Sequence, residues 1–148
     1  MAYHVHRQIR DAAVTALTGL ASTGANVYAN RLYPLPAAAL PALRVSLDDE
    51  QAEPVSVHAP VTLQRTATLV VECCAQADDD SLDDTCDQMA KEVETTLAAG
   101  LTVAGRHLDA LFIGSRFDDE AAGLDAAVKR LEFRIEFFTP ANAPDTLT

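Results

Sequence analysis

Three sets of side chains in this 148-residue sequence have the types that chemistry uses, and their spacing decides what each could do. His4 and His6 look like a metal pair, but two residues apart on a helix is about 200° around the axis, so they share an ion only if the chain there is extended. On a helical start they read as solvated terminal histidines. Cys73 and Cys74 are adjacent, so on a strand their sulfurs point to opposite faces. That is no CxxC redox motif; one thiol is expected in the core and the other toward solvent or a neighbouring side chain. Cys86 leaves the count odd, with neither a disulfide framework nor a metal-ligand spacing, as in a reducing cytoplasm. The aspartates 78, 79, 80, 83, 84 and 87 offer hard carboxylate oxygens to a divalent cation, but without the glycine and closing glutamate of an EF-hand. At the start of a helix they complement the positive end of its dipole. His58 and His107 have no acid or nucleophile at a relay spacing. The chain lacks GxxxxGK[ST], GxGxxG, HExxH and GxSxG. Phosphate cradling, dinucleotide binding and the common hydrolase routes are unsupported, no catalytic, cofactor or metal residue is assigned, and a non-enzyme is expected.

Composition narrows the partners. Twenty-two acidic residues face 11 basic ones, a net charge of −11. Nucleic-acid affinity rests on Lys and Arg displacing condensed counterions, so a DNA- or RNA-gripping role is disfavoured, as is an anionic membrane surface. Leu, Ile, Val and Phe make up about a quarter of the chain, enough for one folded core. No apolar run nears the roughly 18 residues that span a bilayer, and no export signal is visible, so a soluble protein is expected.

The elements that must position these residues follow from periodicity. Between His4 and Leu20, the positions Val5, Ile9, Ala12, Ala13, Ala16, Leu17 and Leu20 form one helical stripe, with Gly19 and Gly24 able to close it. Strands are expected over 26–32 and 42–47, with prolines 34, 36 and 41 between them. Residues 48–60 hold acids and two prolines and read as a projecting loop or the end of a long hairpin. Residues 62–75 are the best central strand. Leu82, Cys86, Met89, Ala90, Val93 and Leu97 fall within about 100° of a helical wheel, placing a second helix over 81–98 that Asp80 or Ser81 can cap. Two strands, 108–117 and 126–138, flank an acidic turn over 118–125. In the last, Leu131, Phe133, Ile135 and Phe137 alternate with Arg130, Glu132, Arg134 and Glu136, giving one buried face and one charged ladder. The expected fold is α+β, an antiparallel or mixed sheet with both amphipathic helices packed on one face: a single domain over 1–140, then a loose tail over 141–148.

The layout as a whole resembles the tail terminator family of long-tailed phages, the minor tail protein U-like group, and the related tail completion proteins. The resemblance is carried by RQIRDAAVTALTGLASTGANVYANRLYPLP, LPALRVSLDDE, LVVECCAQADDDSLDDTCDQMAKEVETTL and RLEFRIEFFTP, across about residues 3 to 140. It implies an α+β subunit of a ring, usually of six copies, that caps the head-proximal end of the tail tube in the virion. Such a ring stops tube polymerisation and presents a surface for head–tail joining. The implied partners are further copies of the chain, the tail tube protein and a head completion or connector protein. DNA passes through the channel without sequence-specific binding, and no cofactor, metal or membrane is involved. A rotational ring needs two different lateral patches per subunit, for which 48–60, 118–125 and the C-terminus are the candidates. The competing readings are a connector or tail completion factor on the portal side, and a ligand-binding or enzymatic domain built on scattered carboxylates.

Overall fold

The computed structural model describes residues 2–29, 39–76, 81–117 and 126–148. Helix α1 (Val5–Leu17) leads through β1 (Val27–Tyr28) into a long hairpin of β2 (Ala42–Pro54) and β3 (Thr62–Gln76). Helix α2 (Leu82–Leu97) follows, then a small hairpin of β4 (Leu101–Val103) and β5 (Arg106–Leu108), then β6 (Leu111–Phe117) and β7 (Ala126–Pro140). The main sheet runs β1-β2-β3-β7-β6; β1 lies parallel to β2 and the other pairs are antiparallel, so the fold is α+β with a mixed sheet.

Both helices cover one face of this sheet, as their stripes require. Helix α1 buries Val5, Ile9, Ala13 and Leu17; α2 buries Cys86, Met89, Ala90, Val93 and Leu97. Register lines up the residues beneath them: Val45, Val71 and Leu131 form one row, and Leu47, Leu69 and Phe133 the next. Phe133, Ile135 and Phe137 are each at most 1% exposed, and burial of such side chains stabilises by roughly 1.5–3 kcal/mol apiece.

Several expectations change in detail. The first helix ends at Leu17, one turn before Leu20. Thr18 turns to extended backbone while its hydroxyl donates to the Val14 carbonyl, and Gly19 and Gly24 take φ of +95° and +55°. Of the two readings of residues 48–60, the end of a long hairpin holds and the projecting loop does not: β2 continues past a bulge between Leu47 and Glu50, residues 50–54 pair with β3, and residues 55–61 close the hairpin. The strand expected over 26–32 is represented by β1, and its end beyond residue 29, Asp78 to Asp80 and the turn over 118–125 lie outside the described residues. Ser81 stands at the N-cap of α2.

Segment 141–148 is not loose. Val5 N–H donates to the Pro144 carbonyl, Ala141 N–H to Val61, Thr148 N–H to Phe138, and Leu147 is 8% exposed within the main core. These three backbone hydrogen bonds and one apolar side chain dock a segment whose composition looks like tail. The β4–β5 hairpin was not legible either. Its turn places Ala104 at φ +50° and Gly105 at +76°, the two positive values a type I′ turn demands, yet Ala-Gly lacks the usual Asn-Gly signal.

Candidate interaction surface

The histidine pair is drawn into a polar cluster at one end of the core. His4 is the N-cap of α1, where its Nδ1 accepts the His6 backbone N–H at 3.0 Å. His6 Nε2 shares a 3.0 Å hydrogen bond with Glu50 Oε1, and Arg65 Nη1 donates to both Glu50 oxygens at 3.2 and 3.3 Å. Arg65 Nε donates to Thr139 Oγ1 at 2.8 Å. Arg65 is 9% exposed and Thr139 fully buried, so these polar atoms are satisfied by one another where water is scarce. Burial, and then the charges of His6 and Arg65, hold the His4 imidazole below its ordinary pKa. For Glu50, burial alone would raise the pKa, but hydrogen bonds from His6 and Arg65 overcome it and the carboxyl lies below its usual range. The reading of two solvated terminal histidines holds for the exposed His4 and is corrected for His6: His6 links α1 through Glu50 to the Arg65–Thr139 pair of β3 and β7, and the metal-competent lone pair of His4 Nδ1 is spent on a cap.

The thiols are all buried. Cys73 faces the helices. Cys74, on the opposite face, is 2% exposed in a small cluster with Ala42 and Val128, so the alternative of a solvent-facing sulfur is dropped. Burial pushes the Cys74 thiol up to about 11 and Cys73 further, which leaves neither as a nucleophile near neutrality. Asp87 of the acidic stretch holds Lys129 at 2.7 Å, bracing α2 against β7. Among the described residues no three of His, Cys, Asp and Glu gather as a metal site. His58 is exposed in the hairpin connection. His107 Nε2 meets Asp109 Oδ1 at 2.8 Å, an interaction that spacing did not reveal, but it is surface-exposed and no hydroxyl or thiol is aligned with it among the described contacts. The His107 ring packs where a Cβ on Gly100 would be, and Gly100 has φ +78°, so glycine there is required by both backbone and ring.

Beside His107 lies an open groove of about 560 Å³ lined by Asp109, Leu111, Arg134, Glu136 and Phe138. Its cations and anions alternate, with no converged set of one charge and no enclosed apolar chamber of the kind that holds a small ligand. Next to it runs β6, the outermost strand. Leu111, Phe112, Ile113 and Phe117 are 40–52% exposed, although Phe112 still stacks edge-on with the buried Phe133 at 5.5 Å. Charged loops, not this strand, are the contact candidates that the sequence suggests; the signal for the strand is the unbroken triplet Leu111-Phe112-Ile113, which cannot hide on one face. The candidate contact regions fare differently. Most of 48–60 is strand, and the C-terminus is docked on its own core, so it is not available as a reaching arm.

No family model and no curated protein matches the chain. Among solved structures, it is similar to a chain in the virion of a native gene transfer agent particle, at 24% sequence identity over 90% of each chain with a TM-score of 0.50. At that identity the likeness is one of fold, and it extends over nearly the whole of both chains.

Proposed function

We propose that this chain is a structural protein of a phage-like virion and, within that class, a tail terminator: a ring subunit that caps the head-proximal end of the tail tube and receives the head completion protein. The observation that carries this reading is the fold likeness, across 90% of both chains, to a component of a virion particle. Two features of the chain support a binding part over a catalyst. The thiols are buried, His4, His6 and His107 are engaged in hydrogen bonds, and four of the eight large exposed hydrophobics among the described residues lie together on β6, a surface for protein and not for small molecules.

Six copies at −11 each bring about −66 formal charges together, and like charges within a Debye length of roughly 8–10 Å oppose assembly. Association is therefore expected to strengthen with salt or divalent cations, and a channel walled by such subunits repels DNA and lets it slide. The deciding experiment incubates gold-labelled protein with purified tail tubes of its particle. Label at a single tube end, with a ring-sized mass by light scattering between about 0.02 and 0.5 M salt, is the expected result. Label on portals and not on tubes favours the connector reading. Absence of label from both, with a monomer mass throughout, removes the virion reading and leaves a ligand-binding or enzymatic domain.

A further inference from the structure

Helix α2 packs on β3 and β7 and leaves β6 exposed beside it. Residues paired directly across two strands share a face of the sheet. Phe112, Ser115 and Phe117 pair with Phe133, Leu131 and Lys129, so all three stand on the helix-covered side, and all three are exposed. One flank of α2 borders them. Asp87 near its start holds Lys129 at 2.7 Å, and the same ammonium lies 5.5 Å from the centre of the Phe117 ring. At the other end Ala98, just past the helix, lines the same groove as Leu111. Asp83 and Glu94 fall on this flank too, one turn before Asp87 and two turns after it.

Strand β6 is thus a ledge running beside α2 for about 16–20 Å, by the rise of the helix and of the strand, which is the length of roughly three helical turns. Its floor is apolar and carries no acid, whereas the wall presents Asp83, Asp87 and Glu94, with Lys91 the only cation in α2. An occupant must therefore bring an apolar stripe and positive charge. A helix suits the place, because helices pack about 8–10 Å apart and a neighbour of α2 at that distance lies over β6, in the layer the two helices already form. A second copy does not supply one. Both described helices bury their stripes in their own core, and a chain of net charge −11 brings more acid to an acidic wall.

We propose that the ledge between α2 and β6 receives a basic amphipathic helix of a different protein, its apolar stripe on Phe112 and Phe117 and its Lys or Arg side chains toward Asp83 and Glu94. The proposal goes beyond the ring reading and does not depend on it. The test uses the full chain and, as probe, a Leu/Lys peptide of about 14 residues patterned as an amphipathic helix, beside a Leu/Glu peptide of the same pattern. Fluorescence anisotropy in about 0.15 M salt is expected to show saturable binding of the Leu/Lys peptide, weakened about tenfold by Phe117→Ser and severalfold by Asp83→Asn with Glu94→Gln. Asp49→Asn with Glu53→Gln, which removes the same charge from exposed positions on β2, is expected to leave it unchanged. Ser115→Cys carrying a maleimide photo-cross-linker is expected to capture the peptide and Val57→Cys, in the hairpin connection, is not; the native cysteines are buried. Equal weakening by the two double variants, or capture at both positions, means attraction spread over an acidic surface and overturns the proposal. Equal binding of the Leu/Glu peptide, binding of neither peptide, or capture of a second copy at Ser115→Cys without peptide overturns it as well.

Discussion

The two faces of the sheet use the same strands and hold charge in opposite ways. On the helix-covered face the interior is apolar and its polar groups gather at one end, where His6, Glu50, Arg65 and Thr139 satisfy each other around the N-terminus of α1. On the other face charge runs along the strands. Arg44 pairs with Glu72 at 3.1 Å, Arg130 reaches Asp48 at 2.7 Å and Glu132 at 2.9 Å, and Arg134 lies 3.8 Å from Glu136. That face is not uniformly wet. Val70, Cys74 and Val128 are buried on it, as are both members of the Arg44–Glu72 pair, while Arg134 and Glu136 stand about half exposed. For Arg130, burial opposes the charge, but the hydrogen bonds to Glu132 and Asp48 prevail and raise its pKa. Alternation in a strand therefore assigns residues to faces, but not depth to a face.

The largest effect is expected where the covered face admits no charge at all. Leu97→Asp puts a carboxylate among residues that α2 buries and should cost about 3 kcal/mol or more, lowering the melting temperature by roughly 10 °C. An unchanged thermal transition would mean that this end of α2 is exposed in solution.

On the opposite face, Glu72→Gln leaves the Arg44 guanidinium buried without its carboxylate and is expected to cost about 3 kcal/mol in urea unfolding. Replacing both, Arg44→Met with Glu72→Leu, should recover most of that loss, because the pair contributes little once desolvation is counted. If the double variant is as unstable as the single, the pair does more than cancel its own burial.

Acid probes the polar cluster at the end of the covered face. The His4 pKa is lowered on folding, so the unfolded chain binds more protons and stability declines as pH falls below about 6.5, its unfolded value. Glu50 is also lowered, so its contribution is present above about 4.5 and lost as pH falls through its folded pKa. Urea midpoints measured from pH 8 to about 2.5 should thus fall in two stages. His4→Asn, which keeps an acceptor at the N-cap, should flatten the upper stage; a midpoint curve identical to that of the parent would remove His4 from the account.

The smallest effect belongs to the wet end of the outer ladder. Arg134→Ala breaks only an exposed pair and should change stability by about 0.5 kcal/mol or less. A loss above 1 kcal/mol, read from the same urea curves, would show that the outer face is covered further along than the monomer indicates.

Helix α2 and strand β7 were legible in the sequence because their signals are local. One apolar stripe of period 3.6 and one of period 2 each state an element and the face it buries, and the structure puts Met89, Val93, Leu131 and Phe133 in the core accordingly. For residues 48–60 the sequence leaves a projecting loop and the end of a long hairpin both open, because an acidic, solvent-facing segment fits either, and β4 and β5 are hidden because three residues carry no period. The polar cluster was hidden for another reason: His6 and Glu50 are 44 residues apart, and Arg65 and Thr139 are 74 apart. Cys73 and Cys74 show the limit in one dipeptide, since alternation separates their sulfurs but cannot say that both faces are buried there.

What the sequence determined by itself is the fold class, the two helix faces, the acidity that disfavours nucleic-acid grip, and the absence of common catalytic motifs. These depend on neighbours within about a dozen residues or on the sum of charges. Only the tertiary structure decided that the apolar strand β6 lies exposed at the side of the sheet, that the C-terminal residues dock against α1, and that two histidines become a cap and a bridge. Each of those depends on strand order and register, which bring distant residues within hydrogen-bond reach, and no local pattern encodes a distance across the sheet.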